Sequence, residues 1–449
     1  MLKRKITKEI EKWYKDSSCG LLIDGARQVG KTTVIQEFLK NNCIRFSEFN
    51  LLENSLARDA FDTSYNADQL LFKLTSLMNE DLKDGDVIFI DEIQEAKDAI
   101  TPIKFLIQNS KYKFIFSGSL LGVKIKDVKS VPVGFLRILN LYPLDFEEFL
   151  WANKVSAKTI EYLRDCFESN KRVDEIIHKQ MMSVFHVYLT VGGMPKAVSD
   201  FVSSKDLRNV NETLNEIDVG YKKDITKYDR EEKCQIQEIY NLIPNELNAN
   251  NKRFILKNMN EKARFYQYEK SFAWLKNSGI GLFTHNVDNP IYPLLASKER
   301  TLFKLFLCDV GLLTYKLYEG KQIAVLNGDS KMNYGAIYEA FVAEELNSHG
   351  FPLFYNNDKR RGEIDFLIEK DQKVIPIEVK SGKGYKRHAA LKNLIGNPSF
   401  DYEIGYVCCN DNLEVEGKIT YLPIYMIMFL KKAQNLESQK ISLDISNLI

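Results

Sequence analysis

The sequence predicts an α/β protein whose N-terminal third is a parallel, doubly wound sheet with helices on both faces. Three observations carry this. Gly20-Leu21-Leu22-Ile23-Asp24 is short, apolar and strand-like, and it runs into Gly25-Ala26-Arg27-Gln28-Val29-Gly30-Lys31-Thr32, which satisfies G-x-x-x-x-G-K-[ST] at every fixed position. Residues Thr33 to Lys40 follow with Val34, Ile35, Phe38 and Leu39 at helical spacing. Further on, the apolar run Val87 to Ile90 ends in two acids and Lys113 to Ser117 reads as a further buried strand, so strands alternate with helices.

The glycine loop has a definite chemistry. Gly25 and Gly30 permit backbone angles closed to other residues, so successive N–H groups from Gly25 through Thr33 can turn toward phosphate oxygens. The helix that follows points its positive end at the same anion. Lys31 is placed to reach the outer phosphates and the Thr32 hydroxyl to hold Mg²⁺. The strand Val87-Ile88-Phe89-Ile90 ends in Asp91-Glu92, at the edge where ligands of open α/β sheets sit. Asp91 is placed to hold the metal ion and Glu92 to orient and deprotonate an attacking water. These acids also suit a helix cap; the upstream loop favours the catalytic reading. Ser117-Gly118-Ser119 reads either as a sensor of the last phosphate or as a plain turn.

The remaining elements follow in order. Ile6 to Tyr14 is an amphipathic helix leading into the first strand. Cys43 to Leu51 is a second strand, and Asp68 to Met78 a helix with Leu70, Leu71, Leu74 and Leu77 on one side. With 449 residues, 45% of them hydrophobic, the chain has room for two to four domains at roughly 100–200 residues each. A net charge of +1 excludes a polycation, so any nucleic-acid surface must be local. The seven cysteines include no C-x-x-C pair, which argues against a zinc site or a disulfide framework. The apolar run Tyr421 to Leu430 is too short to span a bilayer. A soluble, cytoplasmic protein with no membrane association is the expectation.

Here the sequence resembles a group of prokaryotic ATPases of the AAA superfamily that join a P-loop domain to a C-terminal domain with a nuclease-like core. The resemblance rests on the glycine loop, Phe89-Ile90-Asp91-Glu92-Ile93-Gln94, Leu141-Tyr142-Pro143-Leu144-Asp145-Phe146-Glu147-Glu148-Phe149, Gly192-Gly193-Met194-Pro195, Asp309-Val310-Gly311-Leu312-Leu313 and the Glu378-Val379-Lys380 region. It implies ATP as the nucleotide and an ASCE-type P-loop core. Relatives often carry an arginine finger directly after the glycine matching Gly134; this chain has Phe135 there, and Arg137 two positions later.

The middle of the chain, Pro143 to Ser199, reads as mainly helical, with Phe146, Phe149, Leu150, Met181, Met182, Phe185, Val187 and Leu189 as core candidates. The resemblance makes it a helical lid, with Gly192-Gly193-Met194-Pro195 as a hinge. Tyr221 to Tyr228 mixes basic and aromatic residues, which suits contact with phosphate or nucleic acid, with a solvated helix face as the favoured reading. Phe254-Ile255-Leu256 and Phe265 to Lys276 suggest two helices, and Ile280 to His285 a strand, together a winged helix. Seven Lys or Arg against two Glu between Lys252 and Lys276 make DNA a candidate partner, with domain packing as the alternative.

In the C-terminal region, Gly335 to Leu346 is a helix carrying Glu339. Glu363 to Ile368 and Val374 to Lys380 are strands joined by a turn, and a hairpin symmetric about Asp371 and Gln372 sets Asp365 opposite Glu378. Like charges facing one another weaken a ladder unless a divalent cation lies between them. Lys380 shares the Glu378 face. Glu339, Asp365, Glu378 and Lys380 resemble the PD-(D/E)xK nuclease constellation, and the basic run Lys380 to Lys386 suits a phosphate backbone. The expected domains are a P-loop core (1–145), a lid (146–235), a winged helix (236–330) and a nuclease-like domain (331–449). The expected function is an ATP-hydrolysing, Mg²⁺-dependent enzyme acting on DNA, with homo-oligomers as a candidate assembly. The rival is an ATP-controlled binding switch with an inert C-terminal domain.

Overall fold

The computed structural model describes residues 2–78, 82–96, 100–109, 111–118, 134–225, 230–318, 321–329, 332–358 and 360–432. Two expectations, at Ser119 and at Thr226-Lys227-Tyr228, lie outside them.

Helix α1 (Ile6–Asp16) buries Ile10 and Trp13 and leads into β1 (Gly20–Asp24). There follow α2 (Lys31–Asn41), β2 (Phe46–Asn50), α3 (Ser55–Thr63), α4 (Ala67–Ser76), β3 (Val87–Asp91), α5 (Ile100–Asn109), β4 (Lys113–Gly118) and β5 (Leu136–Asn140), a strand the sequence reading did not assign. The five strands lie in the order β2-β3-β4-β1-β5, every pair parallel. All of β3 is buried, because helices cover both faces. Strand alternation divides the core: Leu21 and Ile23 of β1 join Val34, Ile35 and Phe38 of α2, while Leu22 joins Ile88, Ile90, Phe114 and Phe116 on the other face. Parallel strands bring Asn50, Asp91 and Ser117 to the same edge as the glycine loop.

The region expected as a lid is helical: Phe146–Ala152, Ala157–Glu168, Glu175–Val191, Pro195–Ser204 and Leu207–Ile225, while the next helix, Arg230–Asn248, runs across the boundary expected at 235. Phe146, Phe149, Leu150, Met181, Phe185 and Leu189 are buried, whereas Met182 and Val187 are only partly so. Phe185 meets Phe341 of the last domain edge to face at 4.8 Å, so lid and C-terminal domain share one core.

The winged helix needs correction. Phe254-Ile255-Leu256 does not start a helix; the only helical geometry there is a short 3₁₀ turn, Leu256–Asn258. The helix Phe265–Asn277 forms, and β6 (Gly281–Val287) pairs antiparallel with β7 (Lys298–Leu307). That hairpin is not a free wing. Its first strand also pairs parallel with β8 (Phe354–Asp358), and the C-terminal sheet therefore runs across the boundary expected at 330. The physical reason is burial: all seven positions of β6 are buried or half-buried, so the strand needs neighbours on both edges. The sheet continues through β9 (Gly362–Lys370), β10 (Lys373–Val379), β11 (Gly405–Cys409), β12 (Glu414–Glu416) and β13 (Ile419–Pro423), in the order β12-β13-β11-β10-β9-β8-β6-β7. The helix Tyr334–Ser348 is buried from Ala336 to Leu346. Residues Tyr421 to Leu430 end in a strand and the 3₁₀ turn Ile424–Phe429.

The β9–β10 hairpin has the expected register. Lys370 faces Lys373 and Phe366 faces Ile377, across a two-residue turn with φ of 51° and 63° at Asp371 and Gln372.

Candidate nucleotide site and the C-terminal acid cluster

The glycine loop connects β1 to α2 and is shaped by left-handed backbone at Gln28 (φ 67°) and Gly30 (φ 90°), the latter capping α2. Lys31 is buried, and its ammonium donates to the Gly25 and Ala26 carbonyls at 2.9 and 2.8 Å. Burial holds its pKa down at about 8, although Glu92, Asp24 and Asp91 pull the other way. Val29 is buried, and its carbonyl accepts from Arg4 at 3.1 Å. The Arg4 guanidinium also donates to the Tyr142 carbonyl and to Glu148, which ties the N-terminal segment to loop and lid.

Asp91 is the hub of the strand edge and is 2% exposed. Thr32 Oγ1 donates to its Oδ2 at 2.9 Å, Asn50 Nδ2 to the same oxygen at 3.2 Å, and Ser117 Oγ to its Oδ1. Neither sequence reading of Ser117 described this contact: its hydroxyl is engaged with the acid. Glu92 follows in left-handed backbone (φ 54°), receives the Gln94 amide, and faces the cavity. That cavity, about 460 Å³, is lined by Arg27, Gln28, Lys31 and Thr32 of the loop and helix, by Glu92, and by Pro195 and Lys196 of the Pro195–Ser204 helix. Thr33 also lines it. Arg27 is held by Asp224 at 2.6 Å, linking the loop to the end of the Leu207–Ile225 helix. Arg137 pairs with Glu9 at 2.8 Å and does not line the cavity.

The donor set fits Mg²⁺. A hydroxyl and a carboxylate oxygen converge within 2.9 Å beside the loop, the number of protein ligands this ion takes when phosphates and water complete its shell.

Below the cavity the other motif stretches meet. The fully buried Asp309 carboxylate accepts from Gly193 N at 2.6 Å and Leu312 N at 2.7 Å. Burial pushes its pKa up to about 6 against the pull of these amides. Leu144 N donates to Gly193 O at 2.7 Å; a Cβ at Gly193 would lie 2.1 Å from Leu144 O, and one at Gly311 2.5 Å from Gly192 N. Tyr188 donates to Leu144 O and Glu344, Val310 N to Glu344, and Phe146 N to Glu345. Three stretches far apart in sequence thus form one joint, and Pro195, two residues past Gly193, lines the nucleotide cavity.

The C-terminal constellation does assemble in space. The Asp365 carboxylate and Glu378 lie on neighbouring strands, and Glu339 faces them from its helix. Its interior, however, holds a side chain that the sequence reading passed over. Lys304 of β7 is 0% exposed, and its ammonium sits 2.7 Å from Glu363, 3.1 Å from Glu339 and 3.6 Å from Asp365. Lys252 adds a second ammonium on Glu339. The other Asp365 oxygen accepts Val379 N at 2.8 Å, and Glu378 pairs with Lys380 at 2.5 Å. Against burial, the three acids hold the Lys304 ammonium well above its ordinary range, while burial and the Asp365 charge push Glu378 up to about 8. Among the described residues no group of three or more His, Cys, Asp or Glu is arranged to hold a metal. A divalent cation does not fit here, because a fixed ammonium already neutralises the acids it would need. An isolated lysine among the apolar residues Leu302 to Leu307 was the available signal.

Other basic residues are likewise engaged: Lys270 with Glu232, and Lys386 with Glu414 and Glu416.

Sheet order, glycine loop and acid pair define a P-loop nucleotide-binding domain at the N-terminus. Comparison with known families agrees: residues 19–150 match an AAA domain. Residues 182–322 and 334–427 match two domains of unknown function, DUF8612 and DUF4143. Among solved structures, the Walker-type ATPase PABY2304 of Pyrococcus abyssi is similar at 14% identity, with 70% of this chain and 96% of that chain covered and a TM-score of 0.42. PCH-2 of C. elegans is similar at 12% identity over 47% of this chain and 70% of that chain, with a TM-score of 0.29. No curated protein matches the chain significantly. No described helix is long and apolar enough to cross a membrane.

Proposed function

We propose that the chain hydrolyses ATP to ADP and phosphate by in-line attack of water. The observation that carries this is the convergence on Asp91 of the Thr32 and Ser117 hydroxyls, beside a buried Lys31 and with Glu92, held by Gln94, lining the cavity. Loop amides and Lys31 bind the phosphates, and Thr32 and Asp91 hold Mg²⁺, which would neutralise charge on the transferred group. Glu92 orients the water and takes its proton, and Ser117 and Asn50 fix the Asp91 carboxylate. The test is a pair of variants. Lys31→Ala abolishes ATP binding in calorimetry; Glu92→Gln keeps binding and loses turnover by about 10²-fold or more. Turnover in Glu92→Gln equal to the parent's refutes the assigned base.

A second reading, an ATP-controlled switch for a binding partner, is favoured by the joint at Gly193 and Asp309. It links the lid residue Pro195 at the nucleotide to the helix Tyr334–Ser348 of the last domain. We propose DNA as the partner class on the basic stretch from Lys252 to Lys276 alone; the ion pairs at Lys252 and Lys270 reduce the charge it offers.

A further inference from the structure

The PD-(D/E)xK resemblance implies a divalent cation among Glu339, Asp365 and Glu378. We propose instead that Lys304 is the resident cation of this cluster, so that the C-terminal domain takes up no divalent metal there and uses its acids to lock the β6–β7 hairpin and the Lys252 segment onto the Tyr334–Ser348 helix.

Geometry carries the proposal. The Lys304 ammonium has no exposure, and three carboxylates from two elements surround it: Glu339 from the helix at 3.1 Å, and Glu363 and Asp365 from β9 at 2.7 and 3.6 Å. A lysine ammonium is a compact point charge, and here it donates to Glu339 and pairs with the Glu363 and Asp365 carboxylates. The position is fixed by the backbone. Lys304 faces Thr284 across the hairpin, and β6 in turn pairs with β8, which pairs with β9, so the sheet itself delivers the ammonium to the acids. A small cation with a strict octahedral shell would have to share the Glu339 and Asp365 oxygens with this ammonium, a like-charge contact in a buried site. Lys252, from the turn after the Arg230–Asn248 helix, closes the remaining side of Glu339. Lys380, the lysine of E-x-K, is occupied by Glu378.

The experiment uses the full chain without nucleotide. Mn²⁺ is titrated into the parent and Asp365→Asn while free Mn²⁺ is followed by electron paramagnetic resonance. Thermal unfolding is recorded in EDTA and in Mn²⁺ for the parent, Lys304→Ala and Lys304→Ala/Asp365→Asn. In the parent, no Mn²⁺ uptake depends on Asp365, and any rise in melting temperature from EDTA to Mn²⁺ is the same in the parent and in the double variant. Uptake that persists in Asp365→Asn belongs to the Thr32–Asp91 site and leaves the assignment standing. Lys304→Ala leaves buried carboxylates facing one another, and its melting temperature falls by roughly 5–15 °C in EDTA. Mn²⁺ restores part of that loss beyond any rise it causes in the parent, and the double variant shows no such extra rise. Mn²⁺ uptake by the parent that Asp365→Asn removes overturns the proposal, as does a Lys304→Ala variant as stable as the parent in EDTA or stabilised by Mn²⁺ no more than the parent is. Should Lys304→Ala not fold, the parent titration decides alone.

Discussion

Raising the pH should weaken nucleotide binding through one side chain. In the free protein the Lys31 ammonium lies among the loop carbonyls of Gly25 and Ala26, and burial holds its pKa at about 8. Triphosphate oxygens favour the charged form, so the bound lysine titrates higher. Binding then takes up a proton wherever the free lysine is neutral, and affinity is complete below about pH 8 and lost above it. At pH 7 about nine-tenths of the free protein carries the proton; at pH 9.5 only about one-thirtieth does. Affinity should therefore fall roughly 30-fold over that range, close to 2 kcal/mol at 1.36 kcal/mol per unit. The assay is isothermal calorimetry of Mg·ATP with the Glu92→Gln chain, in buffers of different ionisation enthalpy, so that proton uptake is read directly. The triphosphate is fully ionised across the window and adds no slope. Lys31→Arg, charged throughout, is the control: whatever its affinity, that affinity should not follow the lysine titration. A flat profile in the lysine form from pH 7 to 9.5, with no proton uptake, refutes the reasoning.

Two further outcomes follow from the joint and the basic stretch. Gly193→Ala puts a methyl 2.1 Å from the Leu144 carbonyl oxygen, so the chain should lose about 2–3 kcal/mol in urea denaturation, whereas Gly350→Ala, with open space around it, should cost less than half of that through backbone strain alone. In fluorescence anisotropy with labelled duplex DNA, the switch reading predicts affinity that changes with ATP in the parent and not in Lys31→Ala, falling steeply with salt; no binding at 50 mM salt removes DNA as the partner class.

The first domain was legible because its chemistry is local. Gly25 to Thr32 is one continuous stretch, and β3 announces itself as four apolar residues before two acids. The β9–β10 register was readable for the same reason, since a short symmetric turn fixes it. What escaped were contacts made across long separations. Ser117 and Asn50 reach Asp91 only because parallel strands end at one edge. Gly192-Gly193-Met194-Pro195 showed as a break in helical pattern, but that it seats on the Asp309 carboxylate depends on a contact spanning more than a hundred residues. The hairpin after Phe265–Asn277 was readable as a hairpin; its neighbour β8 was not, because pairing partners leave no trace in a strand's own pattern. Lys304 was missed because a lysine in an apolar strand has no meaning until the acids it neutralises are brought to it.

That the C-terminal sheet begins with β6 and β7 has a practical consequence for cutting the gene. A fragment starting at the seam near 330 would carry β8 with a bare row of amides and carbonyls along one side, and Glu339, Glu363 and Asp365 stripped of both their ammonium partners. Such a piece should be recovered as aggregate. A piece starting before Arg230 restores the strand pair and the ammonium partners but still strips Asp309, Glu344 and Phe341 of Gly193, Tyr188 and Phe185, so the full chain is the unit to express.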